Sequence, residues 1–159
     1  KINVTADAIN ARTARLEITK CFFSPQQALV TLDTSHTDAA LPTVTLPNIS
    51  GTITHAYAGI KFRMIENSNA ADNKLSGAQE IQIQAAAEGW LDCIHFVDDQ
   101  FSMAATTKEG GDCILGYTDV VATVDVFNDT YEFQWDEPLT DQDSIKLHDV
   151  QTFLVVSYY

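Results

Sequence analysis

Cys93 and His95 come closest to a catalytic pair, because they stand two positions apart in the apolar run 91–97. If this run is a strand, both side chains project from one face, and the imidazole could take the proton of the thiol. A reactive thiolate also needs a positive environment, and the apolar sequence around Cys93 offers none. We therefore favour the alternative, a core-facing cysteine beside a hydrogen-bonded histidine. The chain has no G-x-S-x-G motif either, so we expect no catalytic residues and no enzymatic activity.

Four carboxylates crowd into residues 136–143, where Pro138 and its polar neighbours predict a loop. Ca²⁺ binds several oxygen ligands at once, and a loop of this composition could supply them. The spacing is not that of an EF-hand, since the glycine and the closing glutamate are missing. A calcium site is one interpretation and an ordinary solvated loop is the other, and no other cofactor is expected. The candidate ligands are Asp136, Glu137, Asp141 and Asp143.

The three cysteines, Cys21, Cys93 and Cys113, belong to no CxxC pair and to no Cys/His spacing typical of zinc. An odd number of cysteines argues against a complete disulfide framework. Cys93 and Cys113 could still pair, since both lie in strand-like segments. Buried free thiols are the alternative that we favour.

Sugar binding would require exposed aromatic side chains that stack on sugar rings, with polar groups beside them. Tyr131, Phe133 and Trp135 alternate along one strand face, which is typical of a core stripe. Exposure of Trp90 or Trp135 would favour a carbohydrate-binding or receptor-binding module, in which calcium could take part. Burial of both tryptophans would favour a structural role. The other aromatic candidates are Tyr117, Tyr158 and Tyr159.

The elements that would position these residues are strands, because apolar residues recur at every second position. The alternation is clear in the runs 60–64, 81–84, 120–126, 131–136 and 153–158. Turn signals separate the runs, and their spacing predicts about nine or ten strands. We therefore expect an all-β fold, an antiparallel β-sandwich of jelly-roll type.

Two hairpins are predicted from local turn chemistry. Gly110-Gly111 predicts one because both positions tolerate positive φ. Asn128-Asp129 separates two alternating runs by a short gap and predicts another.

The edges and the centre of the sheets are also indicated. Pro42 and Pro47 limit the segment between them to an edge strand or an extended linker, because proline cannot donate to a ladder. The final run, 153–159, is apolar at nearly every position, so we expect a central or fully covered strand.

The chain has 159 residues, which is the length of one domain. Residues 5–16 are rich in alanine and could form a short helix or an extended arm that pairs only with a neighbour. We therefore divide the chain into an N-terminal arm, 1–20, and a single β-sandwich domain, 21–159.

The net charge of −13 limits the classes of partner that the chain can bind. Nucleic acids and anionic lipid surfaces attract basic faces, so we expect neither nucleic acid nor membrane as a partner. Residues 1–64 carry six Lys or Arg and four Asp or Glu, whereas residues 65–159 carry three and eighteen. This asymmetry indicates either a solvated acidic surface or an N-terminal part that faces an acidic partner. The second interpretation makes Arg12, Arg15 and Lys20 interface candidates.

Six segments carry a likeness to known proteins: GIKFRMIEN (59–67), GAQEIQI (77–83), WLD (90–92), GGD (110–112), YEFQW (131–135) and LHDVQ (147–151). In their texture and order they resemble small β-sandwich proteins of tailed bacteriophages, which are capsid decoration or tail-associated components. The resemblance implies a non-enzymatic virion protein that forms a homo-oligomer or docks on a larger capsid or tail assembly. It also implies a virion or extracellular location. The first 54 residues fall outside the likeness and would be the part that docks.

Overall fold

The computed structural model describes residues 16–33, 38–67, 80–85, 88–96, 108–136 and 144–159. These residues form nine strands in two antiparallel sheets, so the predicted all-β sandwich is confirmed. Among them there is no helix long and apolar enough to cross a bilayer. The strands are β1 (Ile18–Phe23), β2 (Gln27–Asp33), β3 (Asp38–Thr45), β4 (Ile53–Asn67), β5 (Glu80–Ala85), β6 (Leu91–His95), β7 (Lys108–Asp119), β8 (Thr130–Asp136) and β9 (Ser144–Tyr158).

The first sheet has β9 at its centre. β4 and then β7 lie on one side of β9, while β1 and β2 lie end to end along its other side. Ile18 pairs with Tyr158 and Leu32 pairs with Ile145, so β1 and β2 together follow nearly the whole of β9. The expectation of a central last strand is confirmed.

The second sheet has the strand order β3-β8-β5-β6. β3 is an edge strand, as Pro42 predicts, and its register with β8 shifts between Leu41 and Val44. Proline has no N–H for the ladder, so it is tolerated at a bulge on an edge. The hydroxyl of Thr152 in β9 donates to the carbonyl of Pro42, which ties the two sheets together.

The core between the sheets contains the predicted aromatic stripe. Tyr131, Phe133 and Trp135 of β8 all point into it, and none is more than 2% exposed. Phe96 stacks on Trp135 with ring centroids 4.7 Å apart. The Tyr131 hydroxyl donates to the carbonyl oxygen of Val126 at 2.8 Å, which satisfies a group that would be costly to bury unpaired.

The hairpin predicted at Gly110-Gly111 is wrong. Both glycines lie inside β7, where Gly110 pairs with Met64 of β4. β4 has 15 residues and offers backbone partners as far as Glu66, which pairs with Lys108. Because ladder hydrogen bonds need no side chain, a glycine pair can extend as well as turn.

The strand predicted over 120–126 is also wrong. This segment forms a turn in which the N–H of Val124 donates to the carbonyl of Val120 at 2.8 Å, and both side chains are fully buried. Asn128-Asp129 therefore does not join two strands of a hairpin. Asn128 does adopt a positive φ of 63°, and its N–H donates to the carbonyl of Pro47 at 3.2 Å. The turn predicted at Asn128-Asp129 is present, but it connects the segment 120–126 to β8 and does not join two strands of a hairpin.

The division of the chain at residue 20 falls inside β1, because Lys20 pairs with Val156 and the strand begins at Ile18. Residues 1–15, which include most of the proposed arm or helix, lie outside the described residues.

Candidate assembly interface

The outer strands of the two sheets present edges of different kinds. β6 has five residues, and β3 carries Pro42 and its bulge. β7 is pressed against β6 at Gly116. β1 and β2 have β9 as their only strand partner in the part of the chain that the structure describes. Short strands, prolines and bulges protect an edge from unwanted pairing. The β1–β2 edge, residues 18–33, has no register shift in either strand, and its one proline, Pro25, lies in the break between them.

The outward side of β1 carries main-chain groups that pair with no strand in the described part of the chain. The N–H of Ser24, just after β1, donates to the carbonyl of Thr152 at 2.9 Å. Hydrogen-bonded positions alternate along an antiparallel pair, so Thr19, Cys21 and Phe23 direct their N–H and C=O groups away from β9. No described strand pairs with them. These groups form a template on which a further strand can add.

Large apolar side chains are exposed along the same edge. Leu16 is 87% exposed, Phe23 54%, Ile18 45% and Leu29 43%. Ile18 shares the core-side face of β1 with Phe22, whereas Phe23 lies on the outer face opposite Phe153. Exposed apolar surface beside unpaired backbone is typical of a surface that another chain covers.

Of the three predicted interface residues, the structure describes only Lys20, because Arg12 and Arg15 lie outside the described residues. Lys20 is exposed and belongs to the β1–β2 edge. Lysine on an edge strand also discourages indiscriminate pairing, so its place there suits a selective contact. Its role as an interface residue stays a prediction.

The outer face of the second sheet is polar and internally satisfied. The Nε2 amide of Gln82 donates to Asp92 Oδ1 at 2.7 Å and to Asp136 Oδ2 at 2.9 Å. The amide of Gln134 donates in turn to Gln82 Oε1 at 2.6 Å. Gln84 donates to a carboxylate of β8 in the same way. This face therefore resembles a solvated surface more than a docking surface.

The calcium prediction involves one described residue. Asp136 ends β8 and accepts the hydrogen bond from Gln82. Glu137, Asp141 and Asp143 lie outside the described residues. Within the described ranges no group of three or more His, Cys, Asp or Glu side chains is placed to hold a metal ion. The calcium site in loop 136–143 stays a prediction.

A β-bulge in β6 turns the side chains of Cys93 and His95 to opposite faces of the strand. Glu80 pairs with His95 and Ile81 with Ile94, but the register then shifts, so Cys93 points into the core and His95 outward. The thiol of Cys93 donates to the carbonyl of Ile81 at 3.0 Å, while His95 Nδ1 lies 2.8 Å from Glu80 Oε1. Burial, with a smaller effect from nearby carboxylates, raises the pKa of the Cys93 thiol. The favoured interpretation, a core cysteine beside a hydrogen-bonded histidine, is confirmed.

All three cysteines are free, so Cys93 and Cys113 do not pair. The expectation that the two would be buried free thiols is confirmed for Cys93 and wrong for Cys113, which is exposed, as is Cys21. Cys21 lies on the outer face of β1, and among the described strands none lies beyond it. Partial burial and the proximity of Cys113 still raise the pKa of the Cys21 thiol.

The two tryptophans divide between the predicted alternatives. Trp135 is 2% exposed and belongs to the core, whereas Trp90 is 38% exposed after the turn at Gly89. The criterion that burial of both would favour a structural role is therefore not met, whereas the exposure of Trp90 meets the condition set for a carbohydrate-binding or receptor-binding module.

A histidine–carboxylate pair that the sequence did not indicate links β4 to the end of β7. His55 Nδ1 lies 2.6 Å from Asp119 Oδ2, while Asp119 Oδ1 accepts the N–H groups of Ala56 and Val121, each at 3.1 Å. The hydrogen bond to Asp119 raises the pKa of His55. Partial burial acts to raise the pKa of Asp119, but these hydrogen bonds outweigh it and the pKa is lowered. The two residues are far apart in sequence, and only the strand register brings them together.

No protein-family model and no curated protein matches the chain. Three solved structures share its general outline. FLHE aligns with a TM-score of 0.44 at 9% identity, over 88% of this chain and 96% of that chain. A winged bean acidic lectin, complexed with methyl-α-D-galactose, aligns at 0.38 and 7%, over 88% and 99%. A chain of infectious bursal disease virus, Gx strain, aligns at 0.37 and 10%, over 89% of this chain and 36% of that chain. With TM-scores below 0.5, these likenesses carry nothing about function.

Proposed function

We propose that this protein is a structural, non-enzymatic subunit that joins copies of itself, or docks on a larger particle, through the β1–β2 edge. The observation that carries the proposal is the edge itself. Thr19, Cys21 and Phe23 present main-chain groups that no described strand pairs with, and apolar side chains are exposed on both faces of the strand. A strand added there gains main-chain hydrogen bonds and buries apolar surface in the same step.

The strand that we propose for this edge is the N-terminal segment of a neighbouring copy. In residues 2–8, INVTADA, apolar and polar residues alternate, which is the pattern of a half-buried strand. Arg12 and Arg15 follow this segment and would meet the neighbour's acidic surface, since residues 65–159 carry eighteen acidic and three basic residues. The N-terminal part and the sandwich would thus act as the two halves of a head-to-tail contact.

The larger particle that we propose is a virion surface, on a capsid or a tail. The support for this setting is the resemblance of residues 55–159 to small bacteriophage proteins. It implies a virion or extracellular location and a symmetric arrangement of subunits.

The molar mass in solution, measured by light scattering over a range of concentrations, tests the proposal. The full chain should form a discrete oligomer, and a chain that lacks residues 1–15 should be a monomer with unchanged thermal unfolding. The truncation stops before β1, so the described sandwich is retained whole.

A proline substitution in β1 locates the contact. Cys21→Pro removes an N–H that points away from β9, so it blocks an added strand without breaking the β1–β9 ladder. Cys21→Ala is the matched control and should keep the mass of the full chain. A full chain that stays monomeric at every concentration would contradict self-association. An oligomer that Cys21→Pro leaves intact would place the contact elsewhere.

A further inference from the structure

A cavity of about 520 Å³ opens on the outer face of the first sheet, where the chain passes from β1 to β2. β1 ends at Phe23 and β2 begins at Gln27, and the break between them leaves room beside Gln151 of β9. The volume lies within the roughly 300–1,000 Å³ that is usual for small-molecule sites. Its polar side chains are Gln26, Lys61, Arg63, Asp112, Asp149 and Gln151.

Three β-strands bring these side chains together. Lys61 of β4 pairs with Gln151 of β9 and with Cys113 of β7, so their side chains share one outward-facing row across the sheet. Arg63, two residues farther along β4, donates to the carboxylate of Asp149. Asp149 itself adopts a positive φ of 54°, which is uncommon for a residue with a side chain.

Some of the polar groups are already engaged and others remain available. The amide of Gln151 donates to the carbonyl of Ser24 at 3.2 Å, which leaves its amide oxygen as an acceptor. Asp112 accepts the N–H of Cys113 at 2.8 Å through one oxygen, Oδ1. Lys61 forms no ion pair with any residue that the structure describes. The site therefore offers both a donor of up to three hydrogen bonds and several acceptor oxygens.

The charges in the cavity balance. Lys61 and Arg63 contribute two positive charges, and Asp112 and Asp149 contribute two negative charges. An anionic ligand would be repelled by the two carboxylates, and a cationic ligand would be repelled by the two basic groups. Hydroxyl groups suit a balanced site of this kind, because each can donate and accept at once.

An exposed aromatic ring lies beyond the wall of the cavity, on the same face of the sheet. Phe23 is 54% exposed, and its ring packs on that of Phe153 with centroids 5.4 Å apart. Phe153 and Gln151 are two residues apart on the same face of β9, a rise of about 7 Å along a strand. A ring at this distance can stack on the apolar face of a sugar whose neighbour occupies the cavity.

We propose that this cavity, with Phe23 at its margin, binds a neutral glycan. One hexose would place its hydroxyls among Lys61, Asp112 and Gln151, and the adjoining hexose would stack on Phe23. The proposal goes beyond the assembly role and does not depend on it, because the cavity opens on the outer face of the sheet, whereas the main-chain groups of the assembly edge point sideways from it. Phe23 is shared by the two surfaces, so Lys61, which lies away from the edge, carries the test of glycan binding. A neutral polysaccharide on a surface is the class of partner that this chemistry fits.

An array of neutral oligosaccharides built of glucose, galactose and mannose, printed beside sialylated and sulfated ones, tests the proposal with the full chain. We expect binding to members of the neutral set. Lys61→Ala should weaken it at least tenfold without altering thermal unfolding, because Lys61 is exposed and has no described ion-pair partner. Phe23→Ala should weaken the binding of the longer oligosaccharides more than the binding of monosaccharides.

Two variants outside the cavity serve as controls. Gln84→Ala removes an amide from the outer face of the second sheet, and Trp90→Ala removes an exposed aromatic ring from the turn before β6. Both should bind the neutral glycans as the unmodified chain does. The proposal is overturned if no neutral glycan binds, if only charged glycans bind, or if Trp90→Ala abolishes binding while Lys61→Ala does not. The mass measurement on the Cys21→Pro variant is independent of each of these outcomes.

Discussion

A methyl group at Gly116 would lie 2.1 Å from the carbonyl oxygen of Cys93, so the backbones of β7 and β6 touch where the two sheets meet. A backbone carbonyl cannot rotate away as a side chain can. Gly116→Ala should therefore force the two strands apart and lower the free energy of unfolding by about 3 kcal/mol, the upper part of the range for overpacking. Chemical denaturation measures the change.

The matched control for that substitution is Gly51→Ala. Its new methyl would meet its nearest neighbours at 3.1 Å, a tight contact that small shifts can relieve. It should cost clearly less than Gly116→Ala. Equal losses at the two positions would mean that the contact between β6 and β7 is not the rigid one described.

Gly59 also allows a close contact that a side chain would block. It lies on the outer face of the first sheet, where the ring of Phe153 covers it. A methyl there would meet the ring at 2.1 Å, so Gly59→Ala alone should destabilise the protein by about 1–3 kcal/mol. Because the obstacle is a side chain, Phe153→Leu should recover part of that loss in the double variant. A double-mutant cycle measures the coupling, and strictly additive effects would argue against the contact.

The thiols should divide into two classes. Cys21 and Cys113 are exposed, whereas Cys93 is buried and donates to the carbonyl of Ile81. A thiol reagent should therefore modify two thiols in the native protein and the third only after unfolding, because the thiolate is the reacting species and burial opposes it. In a Cys93→Ala variant, denaturant should expose no further thiol. Rapid modification of all three in native protein would show that β6 does not cover Cys93.

The pair His55–Asp119 should make stability depend on pH. In the folded protein the pKa of His55 is raised from its ordinary 6.5. The contribution of His55 to stability is therefore fully present below pH 6.5 and is lost as pH rises through the folded pKa. The folded pKa of Asp119 is lowered from its ordinary 3.8, so its contribution is present above 3.8 and is lost as pH falls through the folded value.

The free energy of unfolding of the unmodified chain should consequently exceed that of His55→Ala by the largest amount between pH 3.8 and 6.5. This difference should shrink toward alkaline pH. Denaturation midpoints across this pH range provide the measurement. Asp119→Asn should remove the same pH-dependent difference, and an advantage that grew above pH 7 would have the wrong sign for this pair.

The fold class was predictable because alternation is a local property of the chain. Tyr131, Phe133 and Trp135 show it plainly, and Pro42 marks its edge strand for an equally local reason. Val120 and Val124 fit two structures equally well, because residues four apart share one face of a strand and also one face of a helical turn. The alternation of 120–126 therefore could not distinguish the two structures.

The β1–β2 edge and the cavity were not predictable from local patterns. Lys61, Cys113 and Gln151 come together only through the register of three strands from distant parts of the sequence. Cys93 and His95 were predicted to share a strand face, and one bulge residue in β6 turned them apart. Registers and bulges are decided by the packing of whole sheets, which the spacing of a few residues does not reveal.

The place of β9 between β4 and the β1–β2 edge has a consequence for the order of folding. Ile18 pairs with Tyr158, so the ladder between the first and the last described strands cannot form until the last one has been synthesised. Contacts so far apart in sequence slow folding and prolong the exposure of aggregation-prone strands. We therefore expect refolding from denaturant to be slow, with a yield that falls as the protein concentration rises.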